Sequence, residues 1–346
     1  MLEERLARRQ PPSQLPELGS HRKGGHGVTT LTDPVREHPR ASWRGDVHTE
    51  EAGIDTRSEL GEFLRSRRAA MRPEELGLTP HPTRRRVTGL RREELATLAG
   101  VSITHYTRLE QGRAKGVSDS VLYAIARTLR LGADETAHLL ALARPADASA
   151  PRTPAPPRAE HAGTSARQLV AAMTDVPALV LDRRGDVLTW NLLGHALLAG
   201  QLAPDGPERP GARPNLVRML FLDERYRALY DDPDTEAELA VASLRLVAGR
   251  HPDDRALAAL VGELSIQSAE FAALWSRHPV RTCTSGSKRL HHPTVGALEL
   301  AFENLCIPGT SGQRLIAYTA APGSPSEAAL RLLGSLTAPT ATADRH

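Results

Sequence analysis

The chain has 346 residues, 40% of them apolar, 3% aromatic and 25% charged, with a net charge of +3. That is enough for two packed domains with tails, and the whole chain is only mildly basic. No run of about 18 apolar residues argues for a membrane span, and the opening MLEERLARRQ lacks the apolar stretch of a secretory signal. A cytoplasmic protein is expected, with Cys283 and Cys306 as reduced thiols, although the two could also pair.

Charge is unevenly placed. Arg57–Gly116 carries 13 basic and 7 acidic residues, and Pro214–Val280 carries 7 basic and 11 acidic. A chain with one basic and one acidic region is expected to meet a polyanion through the first alone.

Residues 1–56 are rich in Pro, Gly, Arg and His and have no apolar period. They read as a disordered N-terminal extension, either a basic arm or a stretch upstream of the true start. Order begins near Ser58, a plausible N-cap, with Leu60, Phe63 and Leu64 at helical spacing. Pro73 ends this helix or starts a short one, and Pro80, Pro82 and Gly89 punctuate a loop. Four further helices are expected, roughly over 91–99, 102–110, 119–130 and 134–143. Residues 57–144 form the first domain. Residues 145–164, with five prolines between Pro145 and Pro157, form an extended linker.

The second domain spans 165–326. It opens with a helix, followed by two short strands in ALVLDRRGDVLTW across a turn at Arg184–Gly185–Asp186. Helices follow over about 191–199, 215–230, 234–249, 253–266 and 268–277. Strand-like runs then dominate: RTCTSG, KRLHHP, VGALELAFENL and QRLIAYTA. Strands at both ends with helices between imply an α+β domain with one antiparallel sheet. Residues 327–346 hold one more helix and a tail.

The string LRREELATLAGVSITHYTRLEQGR carries most of the functional case. Two helices crossing steeply around a tight turn need a small residue at their approach, here Ala96. They also need a turn residue tolerant of positive φ, here Gly100. Leu95, Ala99, Val101, Tyr106 and Leu109 fit the core positions, and Ser102 can cap the second helix. The alternative is an ordinary pair of antiparallel helices. Arg91 stands where the first helix would usually have a polar cap.

This segment resembles the helix-turn-helix of the xenobiotic-response-element family, related to phage repressors. It is closest in pattern to the MmyB-like branch common in actinobacteria, through Gly89–Glu94, Gly100–Ser102 and Tyr106–Arg113. The resemblance implies a five-helix, phage-repressor-like all-α domain whose second motif helix enters the major groove. Base-reading positions then fall on Ser102, Ile103, Thr104, Thr107 and Arg108. Arg108 suits bidentate contact with guanine, or alternatively a phosphate or neighbouring side chain. Arg91, Arg92, Gln111 and Arg113, with the loop Arg84–Arg85–Arg86, are expected at phosphates, against the alternative of a solvated loop. Glu110 reads as structural, holding the helix exit.

The second domain resembles the MmyB-like ligand-binding domain, whose fold is PAS-like. The matching pieces are DVLTWN, NLVRMLFLDERYRALY, HPDD, the Gly262–His278 run, KRLHHPTVG and QRLIAYTAAPGSPS. The resemblance implies a pocket for an apolar, fatty-acid-like effector. Expected lining residues are Trp190, Leu216, Leu220, Phe221, Phe271, Trp275 and Tyr318, with Asn191, Arg277, His278 and His292 as polar anchors. The competing reading makes the apolar residues plain core, has Asn191 cap the next helix, and has Trp275–Arg277–His278 fix a helix end. No catalytic set stands out among His195, His251, His278, His291 and His292, and no nucleophile sits in a recognisable elbow. Adjacent histidines on a strand face opposite ways, which argues against a metal at His291–His292. The partners expected are double-stranded DNA, a small apolar effector and a second copy in a homodimer, with no cofactor. The alternative is a repressor whose C-terminal domain serves only dimerisation or protein contact.

Overall fold

Leu60, Phe63 and Leu64 lie on one face of helix α1 (Thr56–Ala70) and are buried with Leu90, Leu95, Tyr106, Leu109, Leu122, Ile125 and Leu139. The computed structural model describes residues 56–78, 89–114, 116–143 and 160–337. Residues 1–55 of the N-terminal extension, the Arg84–Arg86 loop and residues 145–159 of the linker lie outside those residues. Ser58 is inside α1 rather than its cap, and its Oγ donates to Glu62 Oε1 at 3.5 Å. Pro73 opens a short 3₁₀ turn, Pro73–Leu76, closed by Gly77 at φ +72°. Helices α2 (Arg92–Ala99), α3 (Ile103–Glu110), α4 (Asp119–Thr128) and α5 (Ala133–Ala143) complete the first helical cluster.

The rest is built on a five-stranded antiparallel sheet. Its strands are β1 (Ala178–Leu181), β2 (Val187–Trp190), β3 (Ser285–His292), β4 (Gly296–Cys306) and β5 (Arg314–Thr319), in the order β2-β1-β5-β4-β3. The register sets Leu179 opposite Ile316 and Phe302 opposite Tyr318. Alternation along the strands turns Leu179, Leu181, Leu300, Phe302, Ile316 and Tyr318 toward one core, and Ala178, Val180 and Leu315 toward a smaller one under α6 (Thr164–Ala172). This is the α+β, PAS-like architecture.

The larger core is roofed by α7 (Leu192–Ala199), α8 (Leu216–Leu222), α9 (Glu224–Arg227), α10 (Pro233–Arg250), α11 (Arg255–Gln267), α12 (Ala269–Ser276) and α13 (Pro325–Thr337). One helix was expected over 215–230, but the chain breaks into α8 and α9. Asp223 takes an extended conformation there and its carboxylate accepts from the Arg225 and Tyr226 amides, a side-chain cap competing with the helix ladder. RTCTSG and KRLHHP do not form two strands, because β3 begins only at Ser285. The roof is hooked to both sheet edges. Val187 N donates to Pro214 O and Leu216 N to Gly185 O beside β2, while Asp231 N donates to Arg289 O and His291 N to Leu229 O beside β3. No single described helix is long and apolar enough to cross a membrane.

Candidate DNA-reading helix and effector cavity

The turn between α2 and α3 works as its residues demand. Gly100 sits at φ +67°, a conformation that Cβ-bearing residues rarely adopt, and its amide closes the end of α2. Ser102 Oγ accepts from the His105 amide and caps α3. Arg91 offers α2 no side-chain cap; instead Glu94 reaches back and accepts from the Arg91 amide at 2.7 Å, half of a capping box. The back of α3 is buried through Tyr106, Leu109 and Glu110, whereas Ser102, Ile103, Thr104 and Arg108 are exposed and Thr107 is half-buried. Helix α1 approaches so closely that a Cβ on Gly61 would lie 2.3 Å from Glu110 O.

Glu110 is 1% exposed and ringed by arginines. Arg68 binds it bidentately, Nη2 at 2.7 Å and Nε at 3.2 Å, and Arg92 Nη2 donates at 3.2 Å. Burial works to raise its pKa, but the Arg68 and Arg92 hydrogen bonds and charges outweigh that and hold it below the usual carboxylate range. Arg92, half-buried, thus turns one guanidinium nitrogen onto Glu110. Gln111 and Arg113 are exposed, and Arg91 is half-buried.

Between the sheet and α8–α10 lies a cavity of about 110 Å³. Its walls are Leu181, Leu216, Val217, Leu220, Leu239, Ala240, Leu244, Phe302 and Ile316, with Tyr226, Tyr230 and Tyr318. The two tyrosines on the roof share a hydrogen bond, Tyr226 Oη to Tyr230 Oη, at 2.7 Å. Burial pushes the hydroxyls of all three tyrosines above the ordinary phenol range, so they stay neutral.

Four cations line this cavity, and two of them, Arg183 and Arg184, are paired with Asp254. Lys288 is paired with Glu236 and lies over the rings of Tyr230 and Phe302. Arg314 is half-buried and has no such counter-ion among the described residues. Its Nη1 is 3.5 Å from Ser243 Oγ, and its Nε has no hydrogen-bond partner among the described residues. The carboxylate whose charge it feels most, Asp182, is bound by Arg184 at 2.7 Å. Burial lowers the Arg314 pKa accordingly. Asn304 Oδ1 on the same wall is also unpartnered.

Of the eleven residues expected around a ligand, Leu216, Leu220 and Tyr318 line this cavity. Phe221, Phe271 and Trp275 form an aromatic stack elsewhere in the core, with ring centroids 5.1 and 5.7 Å apart. Trp190 faces a surface depression beside α6 and α13, its Nε1 donating to Pro204 O. Asn191 caps α7, and its remaining amide hydrogens go to Met173 O and Val176 O, so it has nothing left for a ligand. Arg277 is exposed, and His278 faces Glu59 and Glu62 of α1. His292 is buried against Ala196 O, while His291 points outward. Arg314 is not among the residues the sequence singles out. Its signal was present: it shares the inward face of β5 with Ile316 and Tyr318, where a charge is out of place. Cys283 and Cys306 are free thiols, and Cys283 lines the cavity.

A helix with an exposed polar face set on a glycine turn, followed by a PAS-like sheet roofed over a cavity, defines a DNA-binding protein with a ligand-binding module. Residues 59–139 match the helix-turn-helix domain, and residues 162–333 match the MmyB-like transcription regulator ligand binding domain. The chain is a helix-turn-helix transcription regulator of the xenobiotic-response-element type with an MmyB-like ligand-binding domain. No curated protein matches it.

Proposed function

We propose that this regulator reads a specific operator as a homodimer through α3, and that an apolar molecule with an acidic head group, held in the cavity beside Arg314, controls that binding. Helix-turn-helix operators are commonly two-fold symmetric, hence the dimer. Ile103, Thr104, Thr107 and Arg108 meet base edges, with Ser102 at the helix entrance. Arg91, Gln111 and Arg113 hold phosphates, joined by Arg84, Arg85 and Arg86 on sequence grounds. The site of action is DNA in the cytoplasm.

The observation that carries the effector reading is Arg314, without a carboxylate partner among the described residues, in a largely apolar cavity. A buried cation without a partner costs several kcal/mol, and a carboxylate is the ligand group that relieves it, with bidentate geometry. The volume is small against the roughly 300–1,000 Å³ usual for drug-sized ligands, so a short acyl chain fits better than a long one.

The test is to select an operator from a random duplex library with the full chain, then titrate it with and without octanoate and palmitate. The expected result is that octanoate binds with one site per chain and shifts operator affinity, and that palmitate is weaker. Absence of any acid binding would leave the second domain as a dimerisation or protein-contact module. Arg108→Ala is expected to cost about 1–3 kcal/mol of discrimination at one base pair. Unchanged preference at every position would remove Arg108 from the reading set.

A further inference from the structure

Helix α10 has two working faces. Glu236, Leu239, Ala240, Ser243 and Leu244 line the cavity, a stripe at helical spacing. Arg245 lies roughly 200° around the helix from Ser243 and points to the helix-turn-helix module. It is fully buried at 0% exposure. Its Nη1 donates to Glu59 Oε2 on α1 at 2.5 Å, its Nη2 to Trp275 O, and its guanidinium stacks 3.9 Å above the Trp275 ring. One turn further on, Gly249 meets α5 so closely that a Cβ would lie 2.7 Å from His138 Cε1. Two more ties flank this junction: Arg67 donates to His278 O at 2.6 Å, and Thr282 donates through N and Oγ1 to Asp134, both at 2.7 Å. His278 itself holds φ +53°, a left-handed conformation that persists only where surroundings fix it.

All of these contacts fall on α1 and α5, and none on the exposed face of α3. The junction thus grips the reading module from behind and leaves its DNA face open. A desolvated ion pair such as Arg245–Glu59 contributes little net stability compared with an apolar pair of the same shape, but it does fix a pose. On the cavity side, Ser243 is the α10 group that Arg314 approaches. An acid that takes the Arg314 guanidinium competes for that contact, two residues before the grip on α1.

We propose that α10 is the lever by which an occupant of the cavity sets the pose of the helix-turn-helix, with Arg245–Glu59 as its grip. This rests on reading the cavity as the effector site. Coupling between two sites needs an element that both contact, and α10 is one.

The cavity can be filled without knowing its natural ligand. In a Cys306→Ser background, hexyl methanethiosulfonate converts the Cys283 thiol to a mixed disulfide, releasing methanesulfinate and leaving a hexyl chain in the cavity. Mass spectrometry counts the adduct. With one adduct per chain, operator Kd is expected to shift at least fivefold. In Glu59→Gln, and separately in Asp134→Ala, which cuts the outer tie at Thr282, the same adduct is expected to shift it less than twofold. A full shift in both variants, or none in the parent despite complete modification, overturns the lever. Thermal melts establish that each variant is folded, and Asp134→Ala serves if Glu59→Gln is not. Octanoate separates the two claims. If it fails to bind while the hexyl adduct behaves as expected, the effector reading is lost and the lever stands. If it binds the parent and both variants and shifts operator Kd equally in all three, the lever alone is lost.

Discussion

The two modules each bury a charged side chain and treat it in opposite ways. At the back of α3, Glu110 is met by Arg68 and Arg92 at hydrogen-bond distance, with Arg65 at 3.7 Å. Inside the second module, Arg314 is left beside a serine hydroxyl. A closed ion network has no vacancy for a ligand and serves the architecture. An unanswered charge within largely apolar walls is what the proposed effector site rests on.

The sharpest way to break this comparison is to neutralise each charge in turn. Glu110→Gln strands two arginines and is expected to destabilise the chain by about 3–5 kcal/mol, read by denaturant unfolding. A loss below about 1 kcal/mol would show the network to be ornamental. Arg314→Met is expected to act the other way, raising stability while abolishing octanoate binding. Destabilisation by this change would mean that the guanidinium is already satisfied.

A third buried ionisable group lies between the modules and sharpens the picture by being neutral. His138 is held at a pKa of about 3, through burial first and then the charges of Arg245, His278, Arg67 and Arg250. Its folded pKa is below the ordinary 6.5, so below that pH the unfolded chain takes up a proton that the folded chain refuses. Stability from this group is present above pH 6.5 and falls as the pH drops toward 3. His138→Leu is expected to remove up to about 1.4 kcal/mol per pH unit of that slope, measured as unfolding free energy from pH 7 to pH 4. The depressed His278, at about 4, keeps its own share. An unaltered slope would place the titration elsewhere.

Much of this was legible in the chain. The glycine turn, the Ser102 cap and the polar face of α3 are local features, set by φ preference and helical spacing, and they appear in the structure as the sequence implied. The antiparallel sheet followed from alternation and short turns. The cavity was less legible because enclosure depends on which segments pack together over long separations. Phe271 and Trp275 look like pocket residues in sequence, yet they stack on each other, and Trp275 also on Arg245. Arg92 looked free because its partner Glu110 is 18 residues away. The junction at Arg245, Gly249 and His138 left no periodic trace at all, since a single arginine on a helix looks like solvated surface until the other module covers it.

The hooks at Pro214–Leu216 and Leu229–Asp231 have a consequence for motion. A β-sheet rim with free amides and carbonyls invites pairing with another molecule, and here each rim is met at one bridge by an end of the segment that carries α8 and α9. That segment cannot lift away to admit a guest without baring a rim. Entry by wholesale opening would therefore favour self-association, and a guest that threads in past the side chains avoids that hazard.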